Sequence, residues 1–380
     1  MADESTVSSP GAELPPLQSI FTQSIPQLLA SLHSTVVVTT YQAGRLVLLR
    51  ADSTGALNSH FRAFTKPMGF AAERGRMALG TAAEIWEFHE IPGVAGKLSA
   101  GMPGESEAHD AAFLPRCVHF TGDIQIHEMA WVPAAAHAPG PSTLWFINTR
   151  FSCLATRSGI YSFVPRWKPP FITAIAPEDR CHLNGIGVRD GVIRYATALG
   201  RTDTAGGWRD NKRSGGILMD VPASEIIATG FSMPHSPRWH EGRLWILDSG
   251  NGGIGVVDPN SGKYTEVARL PGFTRGLDFV GPYAFVGLSQ VRESAVFSGI
   301  AVAELKPEER CCGMWVVDTR SGATAGYVKF TNAVQEVFAV QLLPNLRWPD
   351  IITQDAATIA GSFELPNDAL SQVPPELRQS

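Results

Sequence analysis

His235-Ser-Pro-Arg-Trp, followed by RLWILDSGNG (243–252) and GIGVVDPNSGKY (253–264), reads as strand, turn, strand, turn, strand. Asp-Pro-Asn-Ser-Gly at 258–262 is hairpin-turn chemistry, with Asp and Gly supplying the unusual backbone angles of a tight reversal. The same unit returns along the chain: a polar or charged residue, a small residue, a short apolar strand, a turn and a second strand. Its copies are Lys66-Pro-Met-Gly-Phe-Ala with RMALGT (76–81), His127-Glu-Met-Ala-Trp-Val with LWFINT (144–149), and His182-Leu-Asn-Gly-Ile-Gly-Val with VIRYATA (192–198). Arg275-Gly-Leu-Asp-Phe with YAFVGLS (283–289) and Glu336-Val-Phe-Ala-Val-Gln complete the set. The starts at 66, 127, 182, 235, 275 and 336 lie 40 to 61 residues apart, which gives common propeller repeats of roughly 40–50 residues room for loops. Short alternating strands at regular spacing mean a sandwich, barrel or propeller. Six self-similar units of this length select an all-β, six-bladed β-propeller.

The sixth unit has a first strand near 337–343 and little after it. The missing strands stand at the other end, in Thr35-Val-Val-Val-Thr-Thr-Tyr-Gln, Arg45-Leu-Val-Leu-Leu-Arg and Asn58 to Phe64. N-terminal strands pairing with the last blade would close the ring and remove the sheet edges that invite aggregation. A short helix over 25–33, with Ser24 as N-cap, precedes them. Residues 1–19 are acidic, Ser/Pro-rich and without a basic or apolar leader region, so a disordered lead is expected there. The propeller is expected over 20–352 as one domain, with a loosely packed tail over 353–380.

The 380 residues carry 31 Lys and Arg against 36 Asp and Glu, a net charge of −5. No basic surplus exists to neutralise phosphates, which argues against nucleic acid as a partner. Gly 37 and Pro 27 fit many short strands joined by turns. No apolar run reaches the roughly 18 residues of a membrane helix, so no membrane partner is expected. Five cysteines without C-x-x-C spacing argue against a disulfide framework or structural zinc and favour a cytoplasmic location.

In a propeller, innermost strands start at the face where second strands end. Lys66, His127, His182, His235, Arg275 and Glu336 should therefore ring one channel mouth, joined by Tyr41, Gln42, Asn148, Arg150, Arg201, Asp248, Asn251 and Arg292. Three histidines at one repeat position, His127, His182 and His235, match the ligand set of catalytic zinc, and imidazole also suits iron. Glu128 and Asp248 are candidates to orient the imidazoles or act as the catalytic base. Arg150, Arg275 and Arg292 offer guanidinium forks to a carboxylate or phosphate, with Asn184 and Glu336 as further substrate contacts. The expectation is a metal-dependent enzyme, with zinc or iron, acting on a small anionic molecule or peptide side chain. The competitors are a metal-free anion site and a non-catalytic propeller that binds a ligand or a protein. The arginines would instead be structural if each paired with an acid of its own blade, Asp203, Asp248, Asp278 or Glu293. Trp131, Trp145, Trp239, Trp245 and Trp315 fall on blade strands and read as core. No G-x-S-x-G is present, so serine-hydrolase chemistry has no support.

TTYQAGRL (39–46), HFTGDIQIHEMAW (119–131), LWFINTRFSCLATRSG (144–159), FVPRWKPPFI (163–172), EDRCHLNGIG (178–187), SMPHSPRW (232–239) and GFTRGLDFVG (272–281) resemble a sporadically distributed bacterial family of conserved hypothetical proteins with a domain of unknown function. The resemblance covers about 20–352 and implies a propeller without an established activity. More loosely, HEMAW and HLNGIGV look like blade starts of gluconolactonase/regucalcin-like six-bladed propellers. That likeness implies a calcium-dependent lactonase-like hydrolase with Glu128 and Asn184 at ligand positions, while the flanking histidines depart from the pattern.

Overall fold

A computed structural model describes residues 17–101, 107–133, 141–291, 298–353 and 355–378. Arg292 and most of the expected N-terminal lead lie outside them. Six antiparallel sheets form the blades of a β-propeller. From inside outward, blade 1 is Phe70–Glu73, Arg76–Gly80, Glu84–Glu90 and Ala111–Phe120; blade 2 is Ile126–Val132, Thr143–Asn148, Cys153–Thr156 and Val164–Trp167. Blade 3 is Leu183–Arg189, Val192–Ala198, Gly216–Asp220 and Glu225–Phe231; blade 4 is His235–His240, Arg243–Asp248, Gly253–Val257 and Tyr264–Arg269. Blade 5 is Phe273–Val280, Tyr283–Ser289, Gly313–Asp318 and Thr324–Phe330. Blade 6 joins the two ends of the chain: Ala339–Pro344 is innermost, then Ser34–Thr39, Arg45–Ala51 and Leu57–Ala63. Each inner strand packs on the next around the ring.

Alternation explains the packing. Successive strand side chains point to opposite faces, and both faces of a blade are covered by neighbours. Val36 and Val38 pack with Met314, Val316 and Val328 of blade 5, whereas Val37, Leu46 and Leu48 pack with Met77, Leu79 and Phe88 of blade 1. Two short strands were not anticipated. Ser19–Phe21 adds to the outer edge of blade 5, and Pro349–Ile351 pairs in parallel with Ala111–Phe113 of blade 1. The helix is Ser24–Ser31, and Ser24 does not cap it: its hydroxyl donates to Ala325 O of blade 5 at 2.8 Å.

The seam between blades 6 and 1 is held by Asp350, which accepts from Arg62 Nη2 at 2.6 Å and faces His60 Nε2 at 3.1 Å. Burial alone would raise its carboxyl, but the His60 hydrogen bond and the Arg62 charge hold it below the ordinary carboxylate range. A depressed folded-state value contributes stability above the unfolded value near pH 4, lost as pH falls through the folded value. Asp350→Asn is therefore expected to lower stability at pH 7 by about 1–3 kcal/mol and to flatten its loss below pH ~4. Urea midpoints at pH 7 and pH 3 check this; equal midpoints for variant and parent at both would refute it.

Candidate functional site

Blades 2 to 5 each carry a β-bulge at the start of the inner strand. The unpaired residues fall at His127-Glu128, Asn184, Ser236-Pro237 and Arg275-Gly276. Blades 1 and 6 keep regular register between their first two strands. Bulges re-aim side chains, and two of these residues, His127 and Arg275, line the cavity at the mouth. Two glycines permit the close approach: a Cβ on Gly69 would lie 1.8 Å from His127 O, and Gly276, at φ +79°, would place one 2.5 Å from Val340 N.

One cavity of about 690 Å³ opens at the mouth. Lys66, His127, His182, His235, Arg275 and Glu336 all line it, one from each unit, with Tyr41 and Gln42 from the second-strand end of blade 6. Aromatic walls come from Tyr41, Trp208, Phe273 and Phe338. The His127 and His182 rings meet edge to face at 4.9 Å, His182 lies 4.5 Å from Trp208, and His235 lies 5.5 Å from Phe273.

Each imidazole is anchored through Nδ1. His127 Nδ1 lies 2.8 Å from Gln125 O and 2.7 Å from Thr149 Oγ1, whose own proton goes to Leu183 O at 2.6 Å. A carbonyl only accepts, so Nδ1 carries the proton and Nε2 keeps a lone pair. His235 repeats the device with Met233 O at 2.9 Å and Ser249 Oγ at 3.0 Å. Gln125 and Met233, each two residues before its histidine, adopt φ +50° to present these carbonyls; non-glycine residues held there are strained. His182 differs: its Nδ1 lies 3.0 Å from both carboxylate oxygens of Asp179. The Nε2 atoms of all three make no hydrogen bond to described residues. Burial pushes His127 and His235 well below the usual imidazole range, and the charges of His182 and Arg275 add to this.

Several expected residues lie elsewhere, and their assignments at the mouth are corrected. Glu128 turns inward at its bulge and accepts from Ile186 N at 2.7 Å, Arg238 Nη1 at 3.0 Å and Nη2 at 3.2 Å, and the Ser236 hydroxyl. Asp248 accepts from Ser232 N and Asn251 Nδ2, both at 2.7 Å, and does not line the cavity. Asn184 is buried between Pro234 O and the Thr197 hydroxyl. Glu128 and Asn184, the ligand positions that the lactonase-like resemblance implies for calcium, thus direct their oxygens to hydrogen bonds within and between the blades. Arg150 is ion-paired to Asp123 and does not line the cavity, while Arg275 pairs with Glu336 at 3.1 Å and lies 3.5 Å over the Phe338 ring. Both arginines are thus ion-paired, but with none of the acids Asp203, Asp248, Asp278 or Glu293 that the alternative named. Lys66 forms no ion pair among the described residues. Asp179, Trp208 and Phe338 were not foreseen; an Asp three residues before a repeat histidine was the available signal for the first.

Among the described residues, no group of three His, Cys, Asp or Glu is arranged to hold a metal ion, and no helix is long and apolar enough to cross a membrane. All five cysteines are free thiols.

No curated protein matches the chain. Among solved structures, a nidogen/laminin complex is similar at 9% identity, covering 82% of this chain and 99% of that one with a TM-score of 0.49. A protein of unknown function from Bacteroides caccae is similar at 8% identity, with 82% and 98% covered and a TM-score of 0.49. Residues 23–352 match the family described as "Domain of unknown function (DUF4915)", and the chain belongs to that family.

Proposed function

We propose that the propeller mouth binds a small anionic molecule and carries out acid–base chemistry on it. The carrying observation is that three imidazoles, each anchored at Nδ1, leave their Nε2 atoms without a hydrogen bond to described residues in one aromatic-walled cavity beside Lys66. Fixed acceptors suit a ligand bearing hydroxyl or N–H donors. The ammonium of Lys66, 6.0 Å from the Tyr41 ring, supplies the charge that the paired arginines do not. A reducing compartment such as the cytoplasm suits the five free thiols.

A metal-dependent reaction is the second reading. Its support is the Nδ1 anchoring itself, since ligating histidines donate their other ring N–H to a carbonyl or carboxylate. The two readings separate in one pair of measurements. Elemental analysis is expected to find no stoichiometric zinc or iron, and a thermal-shift screen of small carboxylates and phosphates is expected to raise Tm. At a concentration near 100 Kd the stabilisation is about 2.7 kcal/mol, and Lys66→Met should remove most of it. One zinc or iron per chain, lost on replacing any of the three histidines by Ala, would establish the metal reading instead. A screen in which no anion shifts Tm would overturn the anion site.

A further inference from the structure

The three histidines are not equivalent. His127 and His235 are held by backbone carbonyls and hydroxyls, which fix a tautomer but give an imidazolium no charged partner. Among the described residues, His182 alone of the three is backed by a carboxylate. Asp179 is itself oriented: Trp208 Nε1–H donates to its Oδ2 at 2.9 Å, and Arg209 Nη2 lies 3.5 Å from the same oxygen. The loop is bent for this purpose, with Asp179 at φ +47° and His182 at φ +50°. The His182 ring is in contact with both the Trp208 ring, at 4.5 Å, and the His127 ring, at 4.9 Å and nearly perpendicular.

We propose that Asp179–His182 is the proton-accepting pair of this mouth, with His182 Nε2 removing a proton from a hydroxyl of a bound, hydroxylated anion and Asp179 as its positioning residue. It rests on the reading of the mouth as a ligand site. The O–H bond of the ligand breaks, its electron pair stays on oxygen, and a new Nε2–H bond forms. The resulting imidazolium faces the Asp179 carboxylate, as the orienting acid does in a Ser-His-Asp triad. His127 and His235 accept hydrogen bonds from the ligand's other donors and fix its pose.

The test is made on the ligand-free protein, so its failure is distinguishable from failure to find a ligand. Long-range ¹H–¹⁵N spectra of histidine-labelled protein are expected to show all three residues as the Nδ1–H tautomer. In Asp179→Asn the amide oxygen stays with the Trp208 N–H and turns its NH₂ towards His182. That NH₂ donates to Nδ1, so His182 alone should switch to the Nε2–H form. The second readout is carbethoxylation by diethyl pyrocarbonate, mapped by peptide mass spectrometry. His182 has a side chain 16% exposed, against 6% and 4% for the whole residues His127 and His235, and should react first. Asp179→Asn should slow that reaction at least tenfold while leaving Tm within a few degrees. A wild-type His182 in the Nε2–H form, or first modification at His127 or His235, would overturn the assignment. So would an Asp179→Asn protein with tautomer and reaction rate unchanged. The wild-type spectrum and modification order decide the matter even if the variant does not fold.

Discussion

A chain beginning at residue 51 is expected to be insoluble, whereas one beginning at residue 18 should fold and melt cooperatively. The shorter form loses Ser34–Thr39 and nearly all of Arg45–Ala51, which pair between Ala339–Pro344 and Leu57–Ala63. Blade 6 would keep its innermost and outermost strands with nothing joining them. Val36, Val37, Val38, Leu46, Val47, Leu48 and Leu49 are each at most 1% exposed. At about 1.5–3 kcal/mol per buried side chain, their loss amounts to roughly 10–20 kcal/mol, as large as the roughly 5–15 kcal/mol that stabilises a typical domain. It also uncovers apolar faces on both neighbours, Met314 and Val316 of blade 5 and Met77 and Phe88 of blade 1. Removing residues 1–17 takes away no described strand, because the first begins at Ser19. A soluble, cooperatively melting 51–380 chain would show that blade 6 is not the closure on which the ring depends.

The blades were legible because their period survives in local chemistry. Turn residues mark the hairpins, and a polar residue opens each inner strand, so the repeat itself implies one mouth for the six residues from Lys66 to Glu336, which line one cavity. The two added strands were not legible. Ser19–Phe21 and Pro349–Ile351 have three residues each, too few for alternation to register. Asp179 stayed hidden because it lies in the loop before blade 3, outside the repeat, and Trp208 because it sits in the connection between the second and third strands of that blade. Glu128 was misplaced for a different reason: the bulge at 127–128 breaks the strand register there, and its carboxylate is taken up by Ile186 N, the Ser236 hydroxyl and Arg238 of the following blades.

Glu128→Ala is expected to destabilise the protein by about 3–5 kcal/mol, lowering Tm by on the order of 5–10 °C. Glu128 and Arg238 form a crosslink through the channel. The carboxylate comes from blade 2 and meets the backbone of Ile186 in blade 3 and Ser236 in blade 4. Arg238 donates Nε to Leu277 O of blade 5 at 2.9 Å and Nη1 to Ile186 O at 2.8 Å. Four blades thus share one ion pair whose side chains are only 27% and 14% exposed. Removing the carboxylate leaves the Arg238 charge without its partner and the Ile186 N–H without an acceptor, which is why the cost exceeds that of a surface pair. Arg238→Met paired with Glu128→Leu should recover much of the loss, because replacing both members leaves no unpaired charge. A base at the mouth would behave in the opposite way: Glu128→Ala would spare Tm and abolish turnover of any ligand found for the cavity. Unfolding midpoints for Glu128→Leu, Arg238→Met and the double variant, beside that of Glu128→Ala, decide between the two. Coupling near zero in that cycle would show that the crosslink does not hold the blades together.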